Sequence, residues 1–149
     1  EGRRGDLGGE RGDMEERRED VGNMKKVINS KNAPDPVGPY NQAILVYRTL
    51  YLSGQIALDP KTMELDNSSI EIETIRVLNN INSVLEEANF SFNDIIKTTI
   101  FLTSMEDFTV VNEIYGKWFD KESAPARETV EVSGLPKNAR IEISVIAKK

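Results

Sequence analysis

The 149-residue chain contains no cysteine and no histidine. Without thiols there is no disulfide framework, no thiolate zinc or iron–sulfur site and no cysteine nucleophile. Without imidazole the chain lacks the commonest neutral-pH general base and the commonest transition-metal ligand. Catalysis, if present, falls to carboxylates, Tyr, Lys, Arg or backbone groups. Positive charge is not in excess either: 25 Asp and Glu against 19 Lys and Arg give a formal net charge of -6, which on average repels a phosphate backbone. No apolar run approaches the roughly 18 residues of a membrane-spanning helix, and no signal-peptide stretch is present. A soluble, cytoplasmic protein is expected, with no membrane partner and no global preference for nucleic acid. Walker, strand-borne G-x-G-x-x-G, H-E-x-x-H and EF-hand patterns are missing, which sets aside the nucleotide and metal enzymes they mark.

The length suits one compact domain. Residues 1–23 differ from the rest: six of the ten glycines lie there, among eight acidic residues and five arginines. Such a stretch cannot offset its ordering entropy by burial, so it reads as a disordered, low-complexity extension preceding a domain at 24–149. Its repeated Arg-Gly-Asp tripeptides follow from that composition.

From residue 24 the pattern becomes globular. Lys26 to Asn29 reads as a first strand, and the Pro-rich run from Ala33 to Pro39 forbids a helix. Ala43 to Tyr47 and Thr49 to Ser53 read as a hairpin closed by Gly54, with a further turn at Asp59 to Thr62. Ser68 and Glu71 suggest a capping box ahead of an amphipathic helix marked by Ile75, Leu78, Ile81, Leu85 and Ala88 and ending near Asn89. Ile95 to Leu102 is β-rich. Thr103 and Glu106 suggest a second capping box, and Phe108, Val111, Tyr115 and Trp118 mark a second helix. Arg127 to Val132 and Arg140 to Ala147 are expected to form a final hairpin around Ser133 to Pro136.

The order β-β-β-α-β-α-β-β leaves two helices to cover one face of a six-stranded sheet. Ile95 to Leu102 has apolar residues at both parities, Ile96, Ile100 and Leu102 against Ile95 and Phe101. That pattern suits a sheet whose second face is buried between subunits; a buried central strand in a monomer has the same signature.

Candidate chemistry concentrates in the last two strands. Arg127, Thr129 and Glu131 share one parity, as do Arg140, Glu142 and Ser144. If the intervening turn centres on Gly134 and Leu135, Arg127 falls opposite Glu142 on a common face. A cross-strand ion pair is the simpler meaning of that pattern; a polar cleft is the other.

Taken together, Gly38-Pro39-Tyr40-x-Gln42-Ala43, Ser53-Gly54-Gln55-Ile56, Asn112 with Tyr115, Pro125-Ala126-Arg127, Leu135-Pro136 and Ile141-Glu142-Ile143 resemble the RidA family, also called YjgF or L-PSP, from about Lys26 onward. The resemblance implies a chorismate-mutase-like α+β fold, a homotrimer with ligand clefts between subunits, and cofactor-free hydrolysis of 2-aminoacrylate and other 2-imino acids to 2-keto acids and ammonia. It implies that Arg127 clamps the substrate carboxylate, that Glu142 positions the attacking water, and that Tyr40, Ser53, Gly54, Asn112 and Thr129 line the cleft. Thr129 stands where many members carry Cys. Glu128 replaces a usually small residue and is expected to point away from Arg127. The alternative readings are an endoribonuclease or translation inhibitor acting on single-stranded RNA, and a non-catalytic regulator that binds a small ligand.

Overall fold

A computed structural model describes residues 25–149; the extension read at residues 1–23 lies outside the described residues. The strands are β1 (Lys25–Ile28), β2 (Ala43–Val46), β3 (Thr49–Gln55), β4 (Ile95–Leu102), β5 (Ala126–Glu131) and β6 (Ile141–Lys148), and the helices are α1 (Ile70–Glu87) and α2 (Phe108–Gly116). Type and order agree with the sequence reading. The cap positions do not. Ser69, one residue past the expected Ser68, accepts the N–H of Ile72 at 3.1 Å, so Glu71 belongs to the first turn instead of closing a capping box. Ser104, not Thr103, caps a short 3-10 turn at Met105–Asp107 that leads into α2. A capping box does form where none was expected, between Ser91 and Asp94. At the end of α1, Asn89 takes a left-handed backbone, and the N–H groups of Asn89 and Phe90 reach the carbonyls of Glu86 and Leu85. This is the usual way to satisfy the last orphan carbonyls of a helix.

The six strands form one mixed sheet in the order β1-β2-β3-β6-β4-β5. All pairs are antiparallel except β4 with β5. The expected final hairpin is therefore absent: β4 lies between β5 and β6. A parallel pair needs a crossover of a dozen or more residues, and the segment from Thr103 to Pro125, with α2 in it, supplies that crossover.

One sheet face is covered. Leu50 and Leu52 of β3, Thr98, Ile100 and Leu102 of β4, and Ile141, Ile143, Val145 and Ala147 of β6 are buried. They meet α1 through Val77, Leu78, Ile81, Val84 and Leu85, and α2 through Val111 and Tyr115. Ile75, expected on the buried stripe of α1, is exposed; the stripe instead follows Thr74, Val77, Leu78, Ile81 and Leu85, at spacings of three and four. The double parity of β4 has a local cause as well. The register between β4 and β6 slips between Ile95 and Lys97, so Ile95 joins the core and Ile96 is exposed. On the opposite sheet face Tyr51 and Val130 are exposed, and Glu128 pairs with Lys97 at 2.7 Å. Alternation thus sends Glu128 away from Arg127, as expected.

Arg140, read from parity as part of a row with Glu142, precedes β6 and turns to α1. Its Nε lies 2.8 Å from Oε1 of Glu73, and its backbone N–H donates to Oε2 at 2.7 Å. Glu73 is fully buried, so this bond ties the start of β6 to the first turn of α1. Arg140→Ala removes the charged partner of a buried carboxylate and leaves it the backbone N–H, which should cost about 2 kcal/mol, measured by urea unfolding; a change below ~0.5 kcal/mol would contradict this role.

Candidate active site

The residues named from the sequence gather in two separate places. The first lies where β6 begins and β3 ends. Between Leu52 and Gln55 the pairing with β6 shifts, Leu52 facing Val145 and Gln55 facing Ile143. One extra residue on β3 makes a bulge at Ser53 and Gly54, a device that re-aims side chains beside functional sites. Into the space at the bulge comes the carboxylate of Glu142. A Cβ on Gly54 would sit 2.7 Å from both Cδ and Oε2 of Glu142, so only glycine admits the carboxylate in this position. Ser53 is committed locally, its hydroxyl donating to the Asn41 carbonyl at 2.6 Å.

Glu142 and Gly54 line a cavity of about 250 Å³, with Tyr40, Val37, Ile56 and Lys137 among its walls. The half-exposed Tyr40 accepts the Val37 N–H at 3.1 Å, which leaves the phenol proton free to donate. Gln42, fully buried, holds the preceding Pro-rich turn: its amide donates to the carbonyls of Ser30, Ala33 and Pro34 and accepts the Ser30 N–H. Burial raises Glu142 above the ordinary carboxylate range. Among the described residues it has no ionic partner.

The second place is one face of α2. Arg127 of β5 sits in register with Thr98 of β4 and faces the helices. Its guanidinium donates to Oδ1 of Asn112 at 2.7 Å and lies over the rings of Tyr115, 5.0 Å away, and Phe108, 5.9 Å away. Among the described residues it forms no salt bridge. Thr129, two residues on and on the same face, has a buried hydroxyl oxygen with no hydrogen-bond partner, which is rare in folded proteins and marks a place for a further polar group.

Glu142 pairs with Phe101 and Arg127 with Thr98, and the parities of Phe101 and Thr98 are opposite. The two charged groups therefore lie on opposite faces of one sheet, two strands apart, roughly 10 Å across the strands and roughly 10 Å along them. Within one chain they are neither an ion pair nor the walls of one cleft, which corrects the expected register. Gly54, Tyr40 and Glu142 come together; Arg127, Asn112 and Thr129 come together; Ser53 joins the first group through the backbone.

Sequence reading missed three contributors. Phe108 registered only as core spacing, and Tyr115 as core spacing and part of a family motif without a role at the site, although aromatic residues on one helix face also suit a guanidinium. Lys137 carries no local signal for its left-handed backbone at φ 55°, which places it on the rim of the Glu142 cavity. Among the described residues no group of three His, Cys, Asp or Glu side chains is arranged to hold a metal ion, and no helix is long and apolar enough to cross a membrane.

Comparison with known proteins sets this geometry in context. The family model described as endoribonuclease L-PSP matches residues 30–149. A RutC family protein of Pyrococcus horikoshii is 51% identical over 126 residues, covering 85% of this chain and 99% of its own. The human 2-iminobutanoate/2-iminopropanoate deaminase is 42% identical over 124 residues, covering 83% of this chain and 90% of its own. The crystal structure of E. coli TdcF with bound serine superposes with a TM-score of 0.79 at 36% identity, covering 84% of this chain and 99% of that one.

Two outcomes are expected for the Glu142 cavity. Because burial raises this carboxyl, the stability gained from the shift is complete below its unfolded pKa and is lost as pH rises through the folded pKa. Glu142→Gln should therefore melt above the wild type at pH 7, with the two converging as pH falls through the carboxylate range; equal melting temperatures at pH 7 would contradict the shift. Gly54→Ala should retain its circular dichroism spectrum but push the carboxylate outward, seen as a lower Glu142 pKa by ¹³C titration.

Proposed function

The chain belongs to the endoribonuclease L-PSP family, also called RidA or YjgF, and from that premise we propose that it is a cofactor-independent hydrolytic deaminase of 2-imino acids and their enamine tautomers, active as a homotrimer. The observation that carries this reading is the arrangement of Arg127 and Glu142. Each is half-buried, without an ionic partner among the described residues, and equipped for one part of the reaction.

An iminium carbon is already electrophilic, so water adds to it without a strong nucleophile, and the protein's task is orientation and proton handling. The substrate carboxylate would take the free N–H groups of Arg127, a planar fork matched to two parallel charge-assisted bonds that lysine cannot reproduce. Glu142, a carboxylate whose pKa burial raises and which is thereby a stronger base than a free one, accepts a proton from water as the oxygen adds to the imine carbon. The same proton then goes to the nitrogen of the tetrahedral carbinolamine, and as the C–N bond breaks Glu142 takes the remaining hydroxyl proton, so that the oxygen becomes the carbonyl of the 2-keto acid and ammonia leaves with its electron pair. Tyr40 covers the planar substrate, and the Gly54 backbone N–H meets it without a Cβ in the way.

The opposite-face placement supports the assembly. One chain separates the carboxylate clamp from the water-holding group, so a working cleft takes Arg127, Asn112 and Thr129 from one subunit and Glu142, Gly54 and Tyr40 from another. The uncovered sheet face with Tyr51 and Val130 offers the apolar surface for that contact. The RNA-cleavage reading has less support: among the described residues, the cations beside the two groups are Arg127 and Lys137, a small number for gripping a phosphate backbone.

Assayed on enzymatically generated 2-aminoacrylate, Glu142→Gln should lose about 10²–10⁴-fold in keto-acid formation, and Arg127→Ala should be similarly impaired through KM. Unfolding and refolding the two inactive variants together should restore part of the activity, because mixed trimers contain clefts with both wild-type residues. No recovery in a mixture shown by mass spectrometry to hold mixed trimers would sink the shared-cleft reading, and full activity in both single variants would sink the deaminase.

A further inference from the structure

α2 presents Phe108, Asn112 and Tyr115 on one face, since positions four and three residues apart lie one above another on a helix. Each meets Arg127 differently. Asn112 takes one of the five N–H donors through its side-chain oxygen at 2.7 Å, while the Tyr115 and Phe108 rings lie 5.0 and 5.9 Å from the guanidinium carbon. Tyr115 is the buried member of the set, 5% exposed, and its hydroxyl is 2.7 Å from Oγ1 of Thr98, also buried. Thr98 is the β4 residue in register with Arg127. The chain of contacts therefore closes on itself: Arg127 to the Tyr115 ring, the Tyr115 hydroxyl to Thr98, and Thr98 back to Arg127 through the strand pairing.

We propose that Tyr115 is a positioning residue for Arg127, its ring setting the plane of the guanidinium and its bond to Thr98 fixing the ring, so that a carboxylate ligand meets a fork already in place. This rests on the reading of Arg127 as a carboxylate site and deepens it. A long arginine side chain has many rotamers, and binding that must first select one of them loses affinity by the selected fraction. The ring removes that selection by attracting the cation to its face, and Asn112 sets the rotation within the plane. One N–H of the guanidinium is occupied by Asn112, and the rest of the fork is free to face the ligand beside the unpartnered hydroxyl of Thr129.

The test is calorimetric titration of the full-length protein with pyruvate, a 2-keto acid carrying the same carboxylate as the proposed substrates. Tyr115→Leu should weaken pyruvate binding roughly tenfold, the size of a desolvated cation–π contact. Tyr115→Phe, which keeps the ring, should restore most of that loss. In the 2-aminoacrylate assay the Leu variant should raise KM with kcat nearly unchanged. A purely structural Tyr115 would lower the melting temperature in both variants and leave pyruvate affinity alone, which overturns the proposal. If Tyr115→Leu does not fold, ¹⁵N relaxation of the Arg127 Nε in the wild type decides: a rigid signal supports the positioning role, and an order parameter below about 0.6 overturns it. Arg127→Ala separates the two levels. Unchanged pyruvate binding there removes the carboxylate site and this proposal together, whereas binding lost in Arg127→Ala but kept in Tyr115→Leu removes the positioning role alone.

Discussion

The double pairing of β4 governs the rest of the molecule. Hydrogen-bonded antiparallel to β6 and parallel to β5, this strand brings the alternating rows of three strands into register. Thr98, Ile100 and Leu102 go into the core with Ile141, Ile143 and Val145, while Lys97, Thr99 and Phe101 go to the other face with Glu128, Ser144 and Glu142. Because side chains alternate with a period of two, an odd offset along β4 puts two residues on opposite faces. Arg127 and Glu142 differ by such an offset, through Thr98 and Phe101, and the pair is divided by the sheet itself.

Each divided half is prepared by its own local chemistry. On one side a bulge and a residue without a side chain open room for a carboxylate whose pKa burial raises. On the other, a helix face of two rings and an amide oxygen holds a cation that no acid neutralises within the described chain. Both arrangements oppose stability: a half-buried charged group without a partner costs free energy. The molecule offsets that cost elsewhere, in the continuous apolar core between α1, α2 and the sheet, and in the bond from Arg140 to the buried Glu73, which fastens β6 at the point where Glu142 must be held.

Much of this was legible from residues alone. Eight elements follow from periodicity and punctuation because those signals are local, set by the φ restriction of Pro34, Pro36 and Pro39 or by the spacing of Leu78, Ile81 and Leu85. Cap positions erred by one residue: Ser68 with Glu71 matches the capping box, yet the neighbouring Ser69, with Ile72 three residues on, is the N-cap. The bulge at Ser53 and Gly54 left only a glycine as its mark, which reads equally as a strand end. The shift at Ile95 accounts for part of the double parity of β4, since one slipped residue brings Ile95 into the core, while Phe101 keeps its place on the other face.

The sequence by itself determined the element inventory, the α+β class, the absence of thiol and imidazole chemistry, and, through its family motifs, the residues to watch. It did not determine which strands are neighbours. Ala126 to Glu131 and Ile141 to Lys148 are adjacent in the chain and joined by a Gly-Leu-Pro turn, so local rules make them a hairpin. Only the tertiary structure inserted β4 between them, because that place lets the apolar row of β4 lie beside the apolar row of β6 in the core and leaves the polar row of β5 at the sheet edge. Strand order is a property of burial summed over distant segments, whereas turns and periods are properties of a few neighbouring residues. For that reason the chemistry of Arg127 and Glu142 was readable from their types, but their separation across the sheet was not.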